Sequence, residues 1–334
     1  MSAGRTPLSG EDRLIARFFR PLAKHPGALN LIDDAAYLTP PAGHDLVLTV
    51  DALVADVHFF ADDPADLVAK KTLRVNLSDL AAKGARPLGA LLSLSLPDTV
   101  TERWLEAFAR GLGEDCDAYD CPLLGGDTTR TGGAATISIT AVGSVPGGTM
   151  VKRSGSRPGD VLVVTGTIGD AALGLFQRKE PQHRAFAGLS IPAKEHLASR
   201  YLLPQPRNAV AEAVRQFATA AIDVSDGLAG DVGKLAAASG VRAHIDSSAV
   251  PISEAAGAAL VAAPELLERV LSGGDDYEIA ASVPPDRVGR LARAARQARV
   301  ALTTIGRIEA GEGVNVTGPD GMPMRLEQAS FSHF

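Results

Sequence analysis

The spacing of apolar residues changes several times along the chain, and each change marks a switch between strand and helix. Residues 46–50 (LVLTV) predict a short strand ending at Asp51. Pro64 opens a helical pattern that runs to about Lys83 and stops at Gly84. LGALLSLSL at 88–96 alternates as a strand does, 101–118 carries an amphipathic helical stripe, 121–124 reads as a strand end and 135–145 as a strand. Upstream, Ser9 and Asp12 have the spacing of a capping box for a helix through Phe19. Pro-Gly-Gly at 146–148 is the predicted boundary. Beyond it come a strand over 161–165, a helix after Gly169, and a charged, proline-bearing loop around 180–192. A strand over 219–224 follows, then a helix capped by Ser225 or Asp226 and ending at Gly240, then strands over 243–246, 277–283 and 302–308. Strands interleaved with helices on both sides of the boundary predict an α/β (α+β) protein of two domains, 1–148 and 149–334.

Two motifs recur in order. VNLSDLA at 75–81 resembles IDVSDGLA at 222–229, and LGGD at 124–127 resembles SGGD at 272–275. The step from Ser-Asp to Gly-Gly-Asp is nearly the same in both stretches, which suggests two related halves.

A chain of 334 residues accommodates two domains at roughly 150 residues each. A net charge of −6, no basic stripe and few aromatic residues exclude a nucleic-acid binder. No apolar run reaches the roughly 18 residues of a membrane span, and the first residues lack the apolar core of a secretion signal. Cys116 and Cys121 make neither a disulfide framework nor a zinc site. The expectation is a cytoplasmic enzyme with reduced thiols.

There is no GxxxxGK[ST], no GxGxxG after a strand, no GxSxG and no histidine pair at metal spacing. The chemistry lies instead in six aspartates with apolar sequence neighbours: Asp34, Asp51, Asp79, Asp127, Asp223 and Asp226. Taken singly, each admits a cap or a turn. Taken together, they point to a hard divalent cation, because Mg²⁺ takes oxygen ligands and commonly accompanies phosphate. Lys152 and Arg153 form a basic turn that reads as solvated loop or as phosphate clamp. His58 alone reads as structural.

The ordered run DDAAYL, DALVADVHF, VNLSDLAAKGARP, LLGGDTTR, KRSGSRPGD, VTGTIGDAALGL, AIDVSDGLAGD, SGGDDYE, IGRI and the terminal SHF spans nearly the whole chain. It resembles the thiamine-monophosphate kinase family, within the aminoimidazole ribonucleotide (AIR) synthetase-like superfamily of ATP-dependent enzymes. The resemblance implies a two-domain AIR synthetase-like fold whose N-terminal sheet completes a barrel across a homodimer. It also implies direct in-line phosphoryl transfer from ATP to thiamine monophosphate, with several Mg²⁺ ions. Asp34, Thr49, Asp51, Asp79, Asp127 and Asp223 would hold the ions, with Asp226 at a further one. Tyr119, Gly126, Asp127, Arg153 and Ser225 would contact ATP. His58, Asp275 and Phe331 would line the thiamine phosphate site. The chain departs from the family pattern at Ile32 (usually Gly), Val50 (usually a second Thr), Asp275 (usually Glu) and Phe331 (usually Trp or Tyr). No departure removes a carboxylate. A sibling ATP-dependent enzyme of the superfamily and a catalytically silent nucleotide-binding dimer are the alternative readings.

Overall fold

The computed structural model describes residues 10–327 and Ser330. The chain divides into two compact units. The first comprises 1–42, 48–76 and 87–144; the second comprises 43–47, 77–86 and 145–334.

The first unit is built on a four-stranded sheet of β1 (His44–Val54), β2 (Arg86–Leu96), β3 (Leu123–Arg130) and β4 (Thr136–Pro146), in the order β1-β4-β2-β3. Leu92, Leu94 and Leu96 alternate into the interior from β2, and Ile137 and Ile139 from β4, where Phe108 and Leu112 of the helix Glu102–Ala118 are also buried. Thr101 caps that helix by accepting the Trp104 N–H at 3.2 Å. Arg74, on the helix Ala65–Ala82, pins it through a buried pair with Asp115, with bonds of 2.6 and 3.0 Å. Cys116 and Cys121 are both buried, and burial pushes the Cys116 thiol up to about 12 and Cys121 upward as well.

Helix 65–82 stops where the sequence predicts. Gly84 takes φ +70°, a conformation in which glycine escapes the Cβ clash. The Gly84 N–H reaches the Ala81 carbonyl and the Ala85 N–H reaches that of Leu80, closing a Schellman motif.

The second unit holds a seven-stranded mixed sheet in the order β11-β10-β7-β9-β5-β8-β6. Its strands are β5 (Val161–Thr165), β6 (Ala220–Val224), β7 (Arg242–Asp246), β8 (Glu278–Val283), β9 (Leu302–Glu309), β10 (Gly313–Thr317) and β11 (Pro323–Met324). Both faces are covered. Leu162, Val164, Ile222, Val224 and Ala280 enter one apolar cluster, while Val163, Ala221, Ile279 and Ala281 enter another. Strands buried on two sides read as continuous apolar runs, which is why VLVVT and AAIDV are so visible in the sequence.

Several expectations need correction. Asp51 lies inside β1, which continues to Val54, rather than at a strand end. The 180–192 stretch contains the short helix Arg184–Ala187 and the start of Ile191–Leu202, which Ser190 caps. Neither Ser225 nor Asp226 caps Leu228–Ser239; the cap position is Gly227, with no side-chain bond. The recurring motifs share no local structure. Residues 75–81 lie within a helix and 222–229 cross a strand end; LGGD lies on β3, while SGGD starts at the last residue of the helix Leu267–Ser272.

Candidate functional site

Burial separates the six aspartates, so apolar sequence neighbours did not predict apolar surroundings. Asp223 is 4% exposed, Asp51, Asp79 and Asp226 are half-buried, and Asp34 and Asp127 are exposed.

In the first unit, Asp34 and Asp127 line one cleft of about 650 Å³, together with Asp33, Gly126, Ser93, Ser138 and Thr140. Apolar side chains of Ile15, Phe19, Leu31 and Leu124 also line it. Asp127 and Gly126 stand on β3, which runs parallel to β2 with a register shift after Ala90. Asp127 therefore faces Ser93, and Gly126 faces Leu92. A Cβ on Gly126 would lie 1.8 Å from the Leu92 carbonyl oxygen, so only glycine lets the strands approach this closely.

Thr49 and Asp51 share one side of β1, two residues apart, and the Asp51 carbonyl accepts the Ser138 hydroxyl at 3.0 Å. His58 follows β1 and is oriented by it: its Nδ1 accepts the Val54 N–H at 3.0 Å. A neutral ring in that arrangement carries its proton on Nε2, where it can donate to an anion. Tyr119 ends helix 102–118, and the Arg74 guanidinium lies 5.4 Å from its ring centre.

In the second unit, Asp79 and Asp223 come together. Ala221 and Asp223 alternate onto the β6 face whose cluster also holds Ala81 and Ala82, the last turn of helix 65–82. The same turn brings Ser78, whose Oγ donates to Asp223 Oδ2 at 3.1 Å. It also brings Lys83, whose Nζ donates to the Ala221 carbonyl at 2.8 Å. Burial, and after it the charges of Asp79 and Asp231, push the Asp223 carboxyl well above the usual carboxylate range; the Ser78 bond and Lys83 oppose them. Lys83 is shifted down by burial, and the Arg153 charge adds to that. Arg153 is placed by its neighbour, because the Lys152 carbonyl accepts the Ala221 N–H at 3.0 Å. Arg153 itself is exposed.

Ser225 and Asp226 form the turn after β6. The segment 273–277 is tied to it: the Asp275 N–H reaches the Ser225 carbonyl at 2.9 Å, and the Tyr277 N–H reaches that of Val224 at 2.8 Å. Asp275 and Tyr277 take φ values of +72° and +51°, which non-glycine residues adopt at a cost and which cluster at functional sites. Phe331 lies outside the described residues.

Sequence reasoning missed the supports of this unit. Glu278 is fully buried and binds Arg200 at 2.9 Å, Arg207 Nε at 2.6 Å and the Thr165 hydroxyl at 2.7 Å, with a second bond to Arg207 Nη2. Asp276 is 1% exposed and accepts the Gly169 N–H at 2.8 Å. Glu278 and Asp276 stand in the SGGDDYE run, but nothing local marks the arginines as their partners.

Among the described residues, no three carboxylate, imidazole or thiol groups stand together as a preassembled metal site. The donor chemistry nevertheless fits a hard divalent cation. The candidate ligands are carboxylates and the Thr49 hydroxyl, and Asp223 is a buried carboxyl whose ionisation Asp79 disfavours.

The fold agrees with the family comparisons. Residues 32–145 match the model of the AIR synthase related protein N-terminal domain, and residues 157–319 that of its C-terminal domain. The class is thus a two-domain, mixed α/β AIR synthase-related protein. A thiamine-monophosphate kinase of Caulobacter vibrioides is 45% identical over 93% of this chain and 88% of its own length. The crystal structure of thiamine-monophosphate kinase from Stenotrophomonas maltophilia K279a superposes with a TM-score of 0.82 at 41% identity, covering 94% of this chain and 96% of that one. A structure of AaThiL complexed with AMPPCP and TMP superposes at 0.78 with 32% identity, over 90% of this chain and 91% of that one. The chain belongs to the thiamine-monophosphate kinase family.

Proposed function

We propose that this chain phosphorylates thiamine monophosphate to thiamine diphosphate with ATP, as the relatives' names and the complex with AMPPCP and TMP suggest. The observation that carries the reading is the meeting of Asp79 and Asp223, 144 residues apart, at a buried β6 end. Two carboxylates in such surroundings are relieved by a cation. The acceptor needs no general base, because a phosphate monoester has its second pKa near about 6 and is anionic at neutral pH. One of its oxygens forms a bond to the ATP γ-phosphorus as the bond from that phosphorus to the β–γ bridging oxygen breaks, and ADP leaves with the electron pair. When bound, Mg²⁺ neutralises the phosphates and fixes their line of approach.

Asp34, Thr49, Asp51, Asp79, Asp127 and Asp223 would hold the ions, with Asp226 at a further one. Arg153 offers a planar fork to phosphate oxygens, and Tyr119, Gly126, Asp127 and Ser225 would contact ATP. His58 Nε2–H would donate to the substrate phosphate. Asp275 would meet the cationic thiazolium ring, and Phe331 would stack on it. The Asp275 side chain is one methylene shorter than the family's usual Glu, and its backbone takes φ +72°.

The working state is proposed as a homodimer in the cytoplasm, the N-terminal domain completing a barrel with its partner. Exposed apolar side chains on β1 support this: Leu48 is 64% and Val50 62% exposed. Among the described residues no helix is long and apolar enough to cross a membrane. The test is mass-spectrometric detection of thiamine diphosphate, with stoichiometric ADP release, from ATP and thiamine monophosphate. ADP release without thiamine diphosphate would overturn the substrate assignment.

A further inference from the structure

Asp231 sits in the first turn of helix Leu228–Ser239 and is 1% exposed. Its Oδ2 accepts three consecutive backbone N–H groups, from Ser225 at 3.0 Å, Asp226 at 2.9 Å and Gly227 at 3.2 Å. Its Oδ1 accepts Lys234 Nζ at 2.8 Å, and the same ammonium reaches Asp226 Oδ2 at 2.5 Å. One carboxylate thus fixes the backbone of a turn, and through Lys234 it also fixes a side chain on that turn.

Three amides in a row at a helix start are a ready anion site. Here they are committed to an internal carboxylate. The turn therefore presents its side chains, the Ser225 hydroxyl and the Asp226 carboxylate, rather than its amides. The clamp extends further, since the Ser225 carbonyl accepts the Asp275 N–H and the Val224 carbonyl that of Tyr277. Asp223, Ser225, Asp226 and Asp275 all lie on segments that this clamp joins.

We infer that Asp231 is a positioning residue of the phosphotransfer site, holding the Ser225-Asp226-Gly227 turn in the geometry that receives metal and nucleotide. The inference rests on the proposed reading of Asp223 and Asp226 as metal ligands. Asp231 touches no reacting atom; it acts through the turn, as partners of metal ligands do when they orient them.

The test is Mn²⁺ binding to the full-length protein in the presence of AMPPCP, followed by electron paramagnetic resonance, with thermal melting recorded alongside. Asp231→Ala is expected to weaken Mn²⁺ binding by about 10- to 100-fold, the usual effect of losing such a partner. Asparagine keeps one acceptor oxygen but loses the charge assistance that roughly doubles each bond. Asp231→Asn therefore falls between Asp231→Ala and wild type, and it decides the matter if the alanine variant does not fold. Wild-type Mn²⁺ affinity in a folded Asp231→Ala, or in Asp231→Asn, overturns the inference, even if the melting temperature drops. Asp223→Asn is the control for the underlying reading: if it too binds Mn²⁺ as wild type does, the metal-ligand assignment fails, not only the role of Asp231.

Discussion

The Ser78 hydroxyl donates to Oδ2 of Asp223 at 3.1 Å, across 145 residues of sequence. It is one of few favourable contacts to a carboxyl that burial and Asp79 push well above its ordinary range. Below the ordinary carboxylate pKa of about 4 the group is protonated in both folded and unfolded chains and costs nothing. As pH rises, the unfolded chain ionises first, and stability falls until pH passes the raised folded value. With chelator present, Asp223→Asn should therefore melt higher than wild type at pH 7, and the gap should close as pH falls through about 4. The same variant should lose phosphoryl transfer. Melting curves at several pH values check this; a wild type more stable than Asp223→Asn at pH 7 would contradict it.

Arg74 and Asp115 form a buried bidentate pair, their side chains 11% and 3% exposed. Removing one partner leaves the other charge uncompensated. Asp115→Ala is expected to destabilise the protein by about 3–5 kcal/mol, whereas replacing both residues with apolar ones should cost far less. Chemical denaturation of the single and double variants measures the difference.

Gly126→Ala places a methyl group against the Leu92 carbonyl, where none fits. Strand β3 must move from β2 and carry Asp127 with it. The expected cost is about 1–3 kcal/mol of stability, with a larger loss in affinity for AMPPCP measured calorimetrically. Unchanged nucleotide affinity would remove Gly126 and its neighbour from the ATP site.

Chelation should abolish turnover and leave the fold in place. The proposed ligands are all oxygen, so Mg²⁺ or Mn²⁺ should restore activity. Each unit has buried apolar residues of its own, which metal removal leaves in contact. Cooperative loss of circular dichroism on adding chelator would show that the ions are structural.

Sequence legibility followed how local the determinants were. Strand 161–165 was readable to the residue because both its faces are buried, and Gly84 because a left-handed helix stop selects glycine. The helix Pro285–Gln297 was missed beneath its arginines, although Val288, Leu291 and Ala295 repeat at helical spacing. Asp79 and Asp223 were legible as unusual carboxylates, but their meeting depends on helix 65–82 packing against the β6 face. Asp231 carries no local mark of its role. Its three amide partners lie four to six residues upstream, in a turn expected to be capped by its own Ser225 or Asp226. Glu278 needed Arg200 and Arg207, 78 and 71 residues away, a pairing with no local signature.

The two buried thiols have a practical consequence. The nucleophile toward alkylating reagents is the thiolate, and burial holds Cys116 protonated up to about pH 12 and disfavours ionisation of Cys121 too. Folded protein should therefore ignore iodoacetamide, and modification should proceed only through molecules in which the end of helix 102–118 has opened. Labelling rate becomes a built-in clock for opening of the first unit, readable by mass spectrometry without any engineered probe.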